Sequence, residues 1–407
     1  MATFDTGTTA FMILSTSLVM LMTPGLAFFY GGLAGKRNIL GIMMQTFVSL
    51  GITTIMWISV GYSLCFSGGE GGIIGDLSHA FLKGIPFTES FGGAGEQYPV
   101  YIFIAYQMMF AIITPALITG AFVNRVTFKA YLVFLVLWQL FVYYPFVHMI
   151  WGGGILAQWG VLDFAGGVVV HATAGFAALA SVFYVGKRRD KASKPNSIPL
   201  VAIGTGLLWF GWYGFNAGSE LKVNAVTTLA FLNTDVAASF ATITWLIIEW
   251  VREGKPKFVG LLTGAVAGMA TITPAAGFVP LWAAIVIGIA AGSLCYVAVQ
   301  LKNKWGWDDA LDVWGVHGMG GVIGTISLGI FASAAVNGQS GLIEGNGGFF
   351  MKEVVAVLIG AVYAFVFTYL MLAVINLFTK VKVSEEMEDL GLDESLHGER
   401  AYDEGAL

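Results

Sequence analysis

Charged residues are scarce in this chain: Lys, Arg, Asp and Glu make up 11% of its 407 residues. That is less than half of the roughly 25% that is usual in soluble domains. A soluble protein of this length needs more charge to cover its surface, so the scarcity excludes a soluble enzyme, a nucleic-acid-binding protein and a disordered chain. With 57% hydrophobic residues, the composition predicts an integral membrane protein that is mostly helical.

Cysteine is also scarce, and an N-terminal basic segment is missing. The two cysteines, Cys65 and Cys295, lie within apolar runs, which argues against a disulfide framework or a thiolate metal site. No Lys or Arg precedes the first apolar run, whereas a secretory signal begins with a basic region. We therefore expect the first apolar run to be retained as a membrane span.

Long apolar runs dominate the rest of the chain. A helix needs about 20 apolar residues to cross a hydrocarbon core of roughly 30 Å, and eleven runs approach this length. They lie near residues 9–30, 41–66, 99–123, 130–150, 164–186, 198–218, 235–251, 258–276, 279–300, 313–333 and 350–379. These runs are continuous, unlike the alternating segments of a membrane β-barrel, so the sequence predicts an all-α protein with eleven transmembrane helices.

The basic residues are distributed unevenly among the loops. Of the 20 Lys and Arg residues, all but Lys83, Lys222 and Lys352 follow spans 1, 3, 5, 7, 9 or 11. Because cytoplasmic loops carry the excess of basic residues, we expect the N-terminus outside the cell and the C-terminus in the cytoplasm. The chain is therefore predicted to be a multi-pass protein of the plasma membrane.

The composition changes after Lys380. Residues 381–407 contain nine acids and two basic residues, a net charge of −7, whereas the whole chain carries −5. We therefore divide the chain into a membrane domain at 1–380 and an acidic cytoplasmic tail at 381–407. Such a tail is either a solvated, flexible end or a regulatory segment. We expect regulation, with the tail lying against the basic loops after spans 5 and 7.

Spans 1–5 and 6–10 form two similar halves, at about 9–190 and 198–335. The tetrapeptide Ile-Thr-Pro-Ala occurs in span 3, at 113–116, and again in span 8, at 272–275. Asp163 precedes His171 at span 5, and Asp312 precedes His317 at span 10. Because each half has five spans, the second half must be inverted in the membrane, a pattern found in transporters with a central site.

Ionisable residues within membrane spans are costly and indicate function. Those that we find inside spans or at their ends are His148, Asp163, His171, Glu249, Asp312 and His317. We expect His148 to be a hydrogen-bonded core residue and Glu249 to lie at the membrane interface. Asp163 is expected either to cap the start of span 5 or to contact a cation.

His171 and His317 stand out because small residues flank both, which allows two helices to approach closely. They are either a functional pair or two structural groups that bridge helices. At about 1.5 Å per residue, His171 lies about 12 Å from Asp163 and His317 about 8 Å from Asp312. These distances alone do not bring the two imidazoles together.

Three aromatic residues, Phe110, Trp151 and Phe215, are predicted at the outer ends of spans, together with Ser219. Single aromatics at a membrane interface are routine. Grouped with a hydroxyl, they can form a cation–π cage for a small cation.

Five longer segments carry most of these residues. They are PGLAFFYGG at 24–32, HMIWGGG at 148–154, DFAGGVVVH at 163–171, WYGFNAGS at 212–219 and DVWGVHG at 312–318. Together they closely resemble the ammonium transporter (Amt/Mep/Rh) family, and the tail at 391–402 is similar to the ending of its prokaryotic Amt branch. The resemblance runs through all eleven predicted spans.

The resemblance implies roles for the outer residues. Phe110, Trp151 and Ser219 correspond by position to the site that recruits ammonium, and Phe110 and Phe215 to a phenyl gate below it. Asp163 corresponds to the acid that supports this outer site.

The resemblance also implies a pore and an assembly. His171 and His317 correspond to the twin pore histidines. The family implies a homotrimer in the lipid bilayer, with one narrow hydrophobic pore in each subunit. The tail corresponds to a segment at the cytoplasmic face, where PII-type signalling proteins dock.

The expected function is therefore ammonium transport, with no enzymatic activity, no cofactor and no metal. A bare cation in an apolar pore loses its hydration at a high cost, so we expect ammonium to be deprotonated and ammonia to be conducted. A separate proton relay would make uptake electrogenic. The alternatives are an ammonium sensor, a neutral channel for ammonia or carbon dioxide, and a membrane metalloenzyme, which lacks paired ligands such as Glu-x-x-His here.

Overall fold

The computed structural model describes residues 4–189 and 194–402. Apart from two short strands, the regular secondary structure of these residues is helical. Ten of the described helices are long and apolar enough to cross a membrane, and an eleventh apolar helix is shorter. In chain order they are α1 (Thr6–Leu33), α2 (Ile39–Phe66), α3 (Val100–Ala121), α4 (Phe128–Trp159), α5 (Gly167–Val185), α6 (Ile198–Glu220), α7 (Ala225–Glu253), α8 (Phe258–Ile272), α9 (Leu281–Trp305), α10 (Trp314–Phe331) and α11 (Gly347–Phe378). Each overlaps one of the predicted apolar runs.

Helix α8 is the shorter one, with 15 residues, and it ends before the run predicted at 258–276. A turn that contains Pro274 follows it, and proline cannot supply a backbone hydrogen bond to a continuing helix. The side-chain amide of Asn233, in α7, donates to the carbonyl oxygens of Ala276 and Val279, each at 2.9 Å. These hydrogen bonds satisfy carbonyl groups of the turn inside the bundle.

The connections contain a few short elements. Strands β1 (Ser90–Phe91) and β2 (Tyr98–Pro99) pair antiparallel in the long loop between α2 and α3. Short helical turns lie at Ala80–Leu82, Ala334–Asn337 and Leu342–Glu344.

Five π-helical segments occur in the spans of the described residues, three inside a span and two at its start. They are Trp57–Gly61, Gln139–Tyr143, Gly167–Ala172, Ala291–Cys295 and Trp314–Gly318. Such segments often occur at functional sites because they change the direction of side chains on a helix. Two of them contain His171 and His317.

Glycine allows the helices to approach closely at several crossings. At the crossing of α1 and α6, a Cβ atom on Gly204 would lie 2.3 Å from the backbone nitrogen of Phe29. A Cβ atom on Gly32 would lie 2.6 Å from the backbone nitrogen of Val201. Such contacts between backbones are typical of helix packing within membranes.

The acidic tail packs on one face of the bundle, which we call the tail face. It contains helices α12 (Glu385–Leu390) and α13 (Leu392–His397). The carboxylate of Asp393 accepts hydrogen bonds from the N–H groups of Ile39, at 3.0 Å, and Gly41, at 2.8 Å. The described part of the tail is thus a docked segment.

Ionic and backbone contacts hold the tail at two further places. Arg189, after α5, donates to Asp389 at 2.9 Å and also pairs with Glu385. The backbone of Thr127, after α3, donates to the carbonyl of Val381 at 2.9 Å. The tail therefore lies against the segments after α1, α3 and α5.

The expected contact with the loop after α7 is not among the tail contacts of the described residues; Lys257 of that loop pairs with Glu253 instead. Residues 403–407, which include the predicted tail acids Asp403 and Glu404, lie outside the described residues. So do residues 190–193, which include Lys191 of the basic segment after α5.

Candidate functional site

His171 and His317 meet in the middle of the bundle. Their Nδ1 atoms are 3.2 Å apart and their ring planes are inclined by 17°. Both side chains are buried, with 1% and 4% of their surface exposed. One imidazole must donate to the other across this contact, so the two tautomers are coupled. The Nε2 atom of His171 has no hydrogen-bond partner among the described residues.

Asp163 fixes the start of the helix that carries His171. Its carboxylate accepts four backbone hydrogen bonds, at 2.6–3.0 Å, from Gly166, Gly167, Val168 and Val169. A carboxylate that caps the free N–H groups also complements the positive end of the helix. Each carboxylate oxygen of Asp163 accepts two of these four bonds. The structure therefore favours the capping role over direct contact with a cation.

In the second half of the repeat, the residue equivalent to Asp163 is Asp309, which caps α10. The prediction that Asp312 is the equivalent of Asp163 is wrong. Asp309 accepts the N–H of Trp314 at 2.7 Å and is 1% exposed. His317 lies eight residues after Asp309, the same interval as from Asp163 to His171. Asp312 is instead part of an ion pair with Lys302, at 2.5 Å.

Other charged residues hold the start of α10 on the tail face. The guanidinium of Arg188 binds the carboxylate of Asp308 at 2.7 Å, and buried Arg125 donates to the carbonyl of Asp308 at 2.8 Å. Burial alone would raise the pKa of Asp308, but hydrogen bonds from Arg188 and the charges of both arginines hold it below its usual value. This carboxylate is therefore ionised at neutral pH.

Phe110 and Phe215 lie between the histidines and one face of the bundle. Their ring centroids are 4.2 Å apart, and both side chains are 1% exposed. The ring of Phe215 lies 6.0 Å from the imidazole of His171. Phe110 is the eleventh residue of α3, so the prediction that it lies at a span end is wrong.

Trp151 and Ser219 lie on the far side of Phe110 from the histidines. Trp151 is the last helical residue before a break in α4 at residues 152–154, and Ser219 lies near the end of α6. The Trp151 ring stands at 89° to that of Phe110, with centroids 5.9 Å apart. Its Nε1 donates to the carbonyl of Asp163 at 2.7 Å. The hydroxyl of Ser219 lies 3.2 Å from that of Tyr106.

Three cavities follow one another through these residues. The first, which we call the Trp151 cavity, has about 320 Å³ and is lined by Phe110, Trp151 and Ser219 among others. The second has only about 10 Å³ and touches Phe215, His171 and His317. That is at the lower limit of the space that holds one water molecule, about 10–15 Å³.

The third cavity opens toward the tail face. It has about 300 Å³ and shares His317 and Phe29 with the narrow middle cavity. Asp312 also lines it. A path therefore leads from the Trp151 cavity, past two phenyl rings in contact and two imidazoles, to a second polar cavity on the other side.

The remaining ionisable residues of the prediction are not on this path. His148 is buried, and its ring nitrogens lie 2.9 Å from the carbonyl of Cys65 and 3.0 Å from that of Gly69. It is a hydrogen-bonded core residue, as predicted. Glu249 lies near the tail-face end of α7, where its side chain is 9% exposed and packs against Gly260. Its location at the membrane interface stays a prediction.

Comparison with known proteins identifies the family. The model of the ammonium transporter family matches residues 10–402. The chain is 45% identical over 400 residues to an ammonium transporter of Bacillus subtilis, with 97% of this chain and 98% of the relative covered. It is 44% identical to the ammonium transporter Amt1 of Archaeoglobus fulgidus, with 97% and 99% covered. The chain belongs to the ammonium transporter family.

Solved structures agree with this assignment. Mep2 of Saccharomyces cerevisiae superposes with a TM-score of 0.87 at 33% identity, covering 94% of this chain and 88% of that chain. A structure titled "Sensor Amt Protein" superposes with a TM-score of 0.86 at 28% identity, covering 95% and 97%. This member of the ammonium transporter family is thus a multi-pass membrane protein with the same helical architecture.

Sequence reasoning missed several residues around the path of this family member. Tyr106 and Trp212 are fully or almost fully buried, and Trp212 lies 5.5 Å from the ring of His171. The eight-residue interval between Asp309 and His317 was the signal for the second cap. Glu353 is a carboxyl group inside the apolar helix α11, and its position alone marks it.

Proposed function

We propose that the chain transports ammonium by binding it in the Trp151 cavity, removing its proton, and conducting ammonia past His171 and His317. The observation that carries the proposal is the contact of the two histidines directly below two phenyl rings whose centroids are 4.2 Å apart, on a path between two cavities. The relatives named ammonium transporters supply the substrate.

Recruitment of the cation is assigned to Phe110, Trp151 and Ser219. Two aromatic rings offer their negative faces to a small cation, and the hydroxyl of Ser219 accepts one hydrogen bond. Asp163 supports this site indirectly. Its carboxylate accepts hydrogen bonds from backbone N–H groups, and its backbone carbonyl orients Trp151. Its negative charge also favours a cation in the neighbouring cavity.

The proton must be lost before the narrow part of the path. Phe110 and Phe215 close it, and their rings must turn aside before a molecule passes. A bare cation beyond them would lie in an apolar space of about 10 Å³, at a cost of many kcal/mol in lost hydration. Potassium meets the same cost but has no proton to lose, so it is excluded.

The two imidazoles give ammonia a polar path through this space. A neutral imidazole has one donor and one acceptor nitrogen, and the unpartnered Nε2 of His171 is free for a passing molecule. The coupled Nδ1 contact also allows a proton to pass from ring to ring. We assign the separated proton to this relay, which makes net ammonium uptake electrogenic.

The setting in the membrane belongs to the same proposal. We assign the Trp151 cavity to the outside and the tail face to the cytoplasm, since 17 of the 20 Lys and Arg residues follow alternate spans. Eleven spans then cross the plasma membrane, with α8 as a short one. Matching π-helical segments in α4 and α9, and in α5 and α10, support two inverted halves.

The assembly and the tail complete the proposal. We infer a homotrimer with a pore in each subunit, from the family resemblance. We also infer that the docked tail is regulatory and that a PII-type protein binds at its face. Deleting residues 384–407 tests this: the trimer should assemble, while activity changes or partner binding is lost. Normal transport together with normal partner binding would make the tail a passive end.

The deciding experiment for transport is the current of purified protein on a supported membrane after an ammonium jump, with a potassium jump as control. Ammonium should produce a current and potassium none. A second candidate is an ammonium sensor that does not conduct, which the likeness to the structure titled "Sensor Amt Protein" favours. A sensor would give no flux of methylammonium in liposomes, whereas a transporter would.

A further inference from the structure

Glu353 is a buried carboxyl group that the proposed mechanism does not use. It is the seventh residue of α11, an apolar helix of 32 residues, and its side chain is 0% exposed. Its Oε1 accepts the N–H of Leu162 at 2.8 Å, while its Oε2 has no hydrogen-bond partner in the part of the chain that the structure describes. Because a carboxyl group in a membrane helix is costly, this single bond to the loop before α5 requires a reason.

The loop that Glu353 holds is also the loop that orients Trp151. Three successive residues of this loop, at 162–164, are each hydrogen-bonded to a different part of the bundle. Glu353 binds the N–H of Leu162, Trp151 donates to the carbonyl of Asp163 at 2.7 Å, and the N–H of Phe164 donates to the carbonyl of Pro274 at 3.1 Å. A shift at Leu162 therefore moves the acceptor of the Trp151 ring.

We propose that Glu353 is a positioning residue for ammonium recruitment. It holds Leu162, and through the next residue it fixes the carbonyl that orients Trp151 over the cavity. Glu353 is not among the residues that line the Trp151 cavity, so it acts through the loop and not on the cation. The inference rests on the proposed function, since it assigns Trp151 to recruitment.

A matched control is available in α7. Glu249 is also a buried carboxyl group inside a span, and its Oε2 likewise has no hydrogen-bond partner within residues 4–189 and 194–402. It lies near the tail-face end of its helix, away from the loop before α5. The same replacement at Glu249 removes a buried carboxyl group without touching the Trp151 cavity.

The test compares Glu353→Leu, Glu353→Gln, Glu353→Asp and Glu249→Leu in purified protein. Glutamine keeps an acceptor oxygen at the same reach and removes the charge. Aspartate keeps the charge but is one methylene shorter, so it cannot reach Leu162. Two quantities are measured: the ammonium concentration that gives half-maximal current, and hydrogen exchange of the peptide that contains Leu162.

We expect Glu353→Leu and Glu353→Asp to raise the half-maximal concentration about five-fold, the change that corresponds to one net buried hydrogen bond. The maximal current should stay close to that of the wild type. Exchange at Leu162 should speed up in both variants. Glu353→Gln and Glu249→Leu should match the wild type in both measurements. If Glu353→Leu does not fold, the Asp and Gln variants decide.

A wild-type half-maximal concentration in Glu353→Asp overturns the inference, and so does a shift of similar size in Glu353→Gln. A fall in maximal current alone overturns it too, because a purely structural role would lower the amount of working protein without changing the concentration dependence. Trp151→Leu is the reference: if it causes no shift, the recruitment site itself is wrong. A shift there with none in Glu353→Asp rejects only the role of Glu353.

Discussion

A Cβ atom on Gly175 of α5 would lie 2.1 Å from the Cα atom of Gly318 of α10, so the two backbones touch beside His317. This contact sets how closely the helices of the two histidines approach. It confirms the expectation that small residues around His171 and His317 allow close packing.

Replacing Gly175 by alanine should therefore separate α5 and α10. Overpacking of this kind costs about 1–3 kcal/mol, and a displacement of about 1 Å between cooperating groups can reduce a rate 100-fold. We expect saturated ammonium current to fall about ten-fold or more in trimeric protein. Gly206→Ala is the control, because an added Cβ there meets nothing within 4 Å. Wild-type current in Gly175→Ala would contradict the prediction, because it would show that the crossing of α5 and α10 accommodates an added methyl group.

Trp151→Leu should weaken ammonium transport at low concentration more than at saturation. The aromatic face contributes about 0.5–2 kcal/mol to binding of a cation, roughly a 2- to 30-fold change in apparent affinity. The measurement is the dependence of current on ammonium concentration. Trp250→Leu is a suitable control because Trp250 is 51% exposed at the end of α7. An unchanged concentration dependence would remove Trp151 from the recruitment site.

The helical spans were predictable from sequence because a membrane imposes a minimum length on each apolar run. The contact between His171 and His317 was not predictable in this way. It depends on two π-helical segments, on the cap by Asp309, and on glycine contacts between distant parts of the chain. The position of Phe110 at a span end was predicted wrongly for a similar reason. Its depth in the bundle depends on how far the Trp151 cavity extends inward, which the sequence of α3 alone does not show.

The resemblance supplied the site residues more completely than composition did. Trp151 and Ser219 were already grouped as a cation–π cage, and the resemblance then assigned them to ammonium recruitment. Glu353 lies outside those motifs, and only its charge within an apolar run marks it. Composition alone likewise did not decide whether the tail docks or stays solvated. Docking depends on the carboxylate of Asp393, whose hydrogen-bond donors lie in a segment more than 350 residues earlier in the chain.

Asp393→Ala should release α13 from the tail face. The change removes two hydrogen bonds to a carboxylate, each of which contributes about 1.5–3 kcal/mol when the acceptor is charged. Limited proteolysis should then cleave the tail faster, with the membrane domain intact. Glu386→Ala is the control, since Glu386 is exposed. Equal cleavage rates in the two variants would mean that Asp393 does not hold the tail.

Replacing either pore histidine tests whether the pair conducts or only bridges helices. If His171 and His317 are structural, asparagine at either position should lower stability modestly and leave selectivity unchanged. His148→Asn provides the comparison, because His148 is buried and hydrogen-bonded but lies off the path. If the pair is a relay, loss of one imidazole removes a group that both donates and accepts.

Aspartate at position 171 or 317 gives the sharper result. A fixed negative charge in the narrow cavity favours cations over neutral ammonia, as rings of acidic residues do in cation channels. We therefore expect His171→Asp and His317→Asp either to lose the ammonium current or to admit potassium. The measurement is current after an ammonium jump and then after a potassium jump, on protein shown to be trimeric. Wild-type ammonium currents with potassium still excluded in both variants would leave the histidines with a structural role alone.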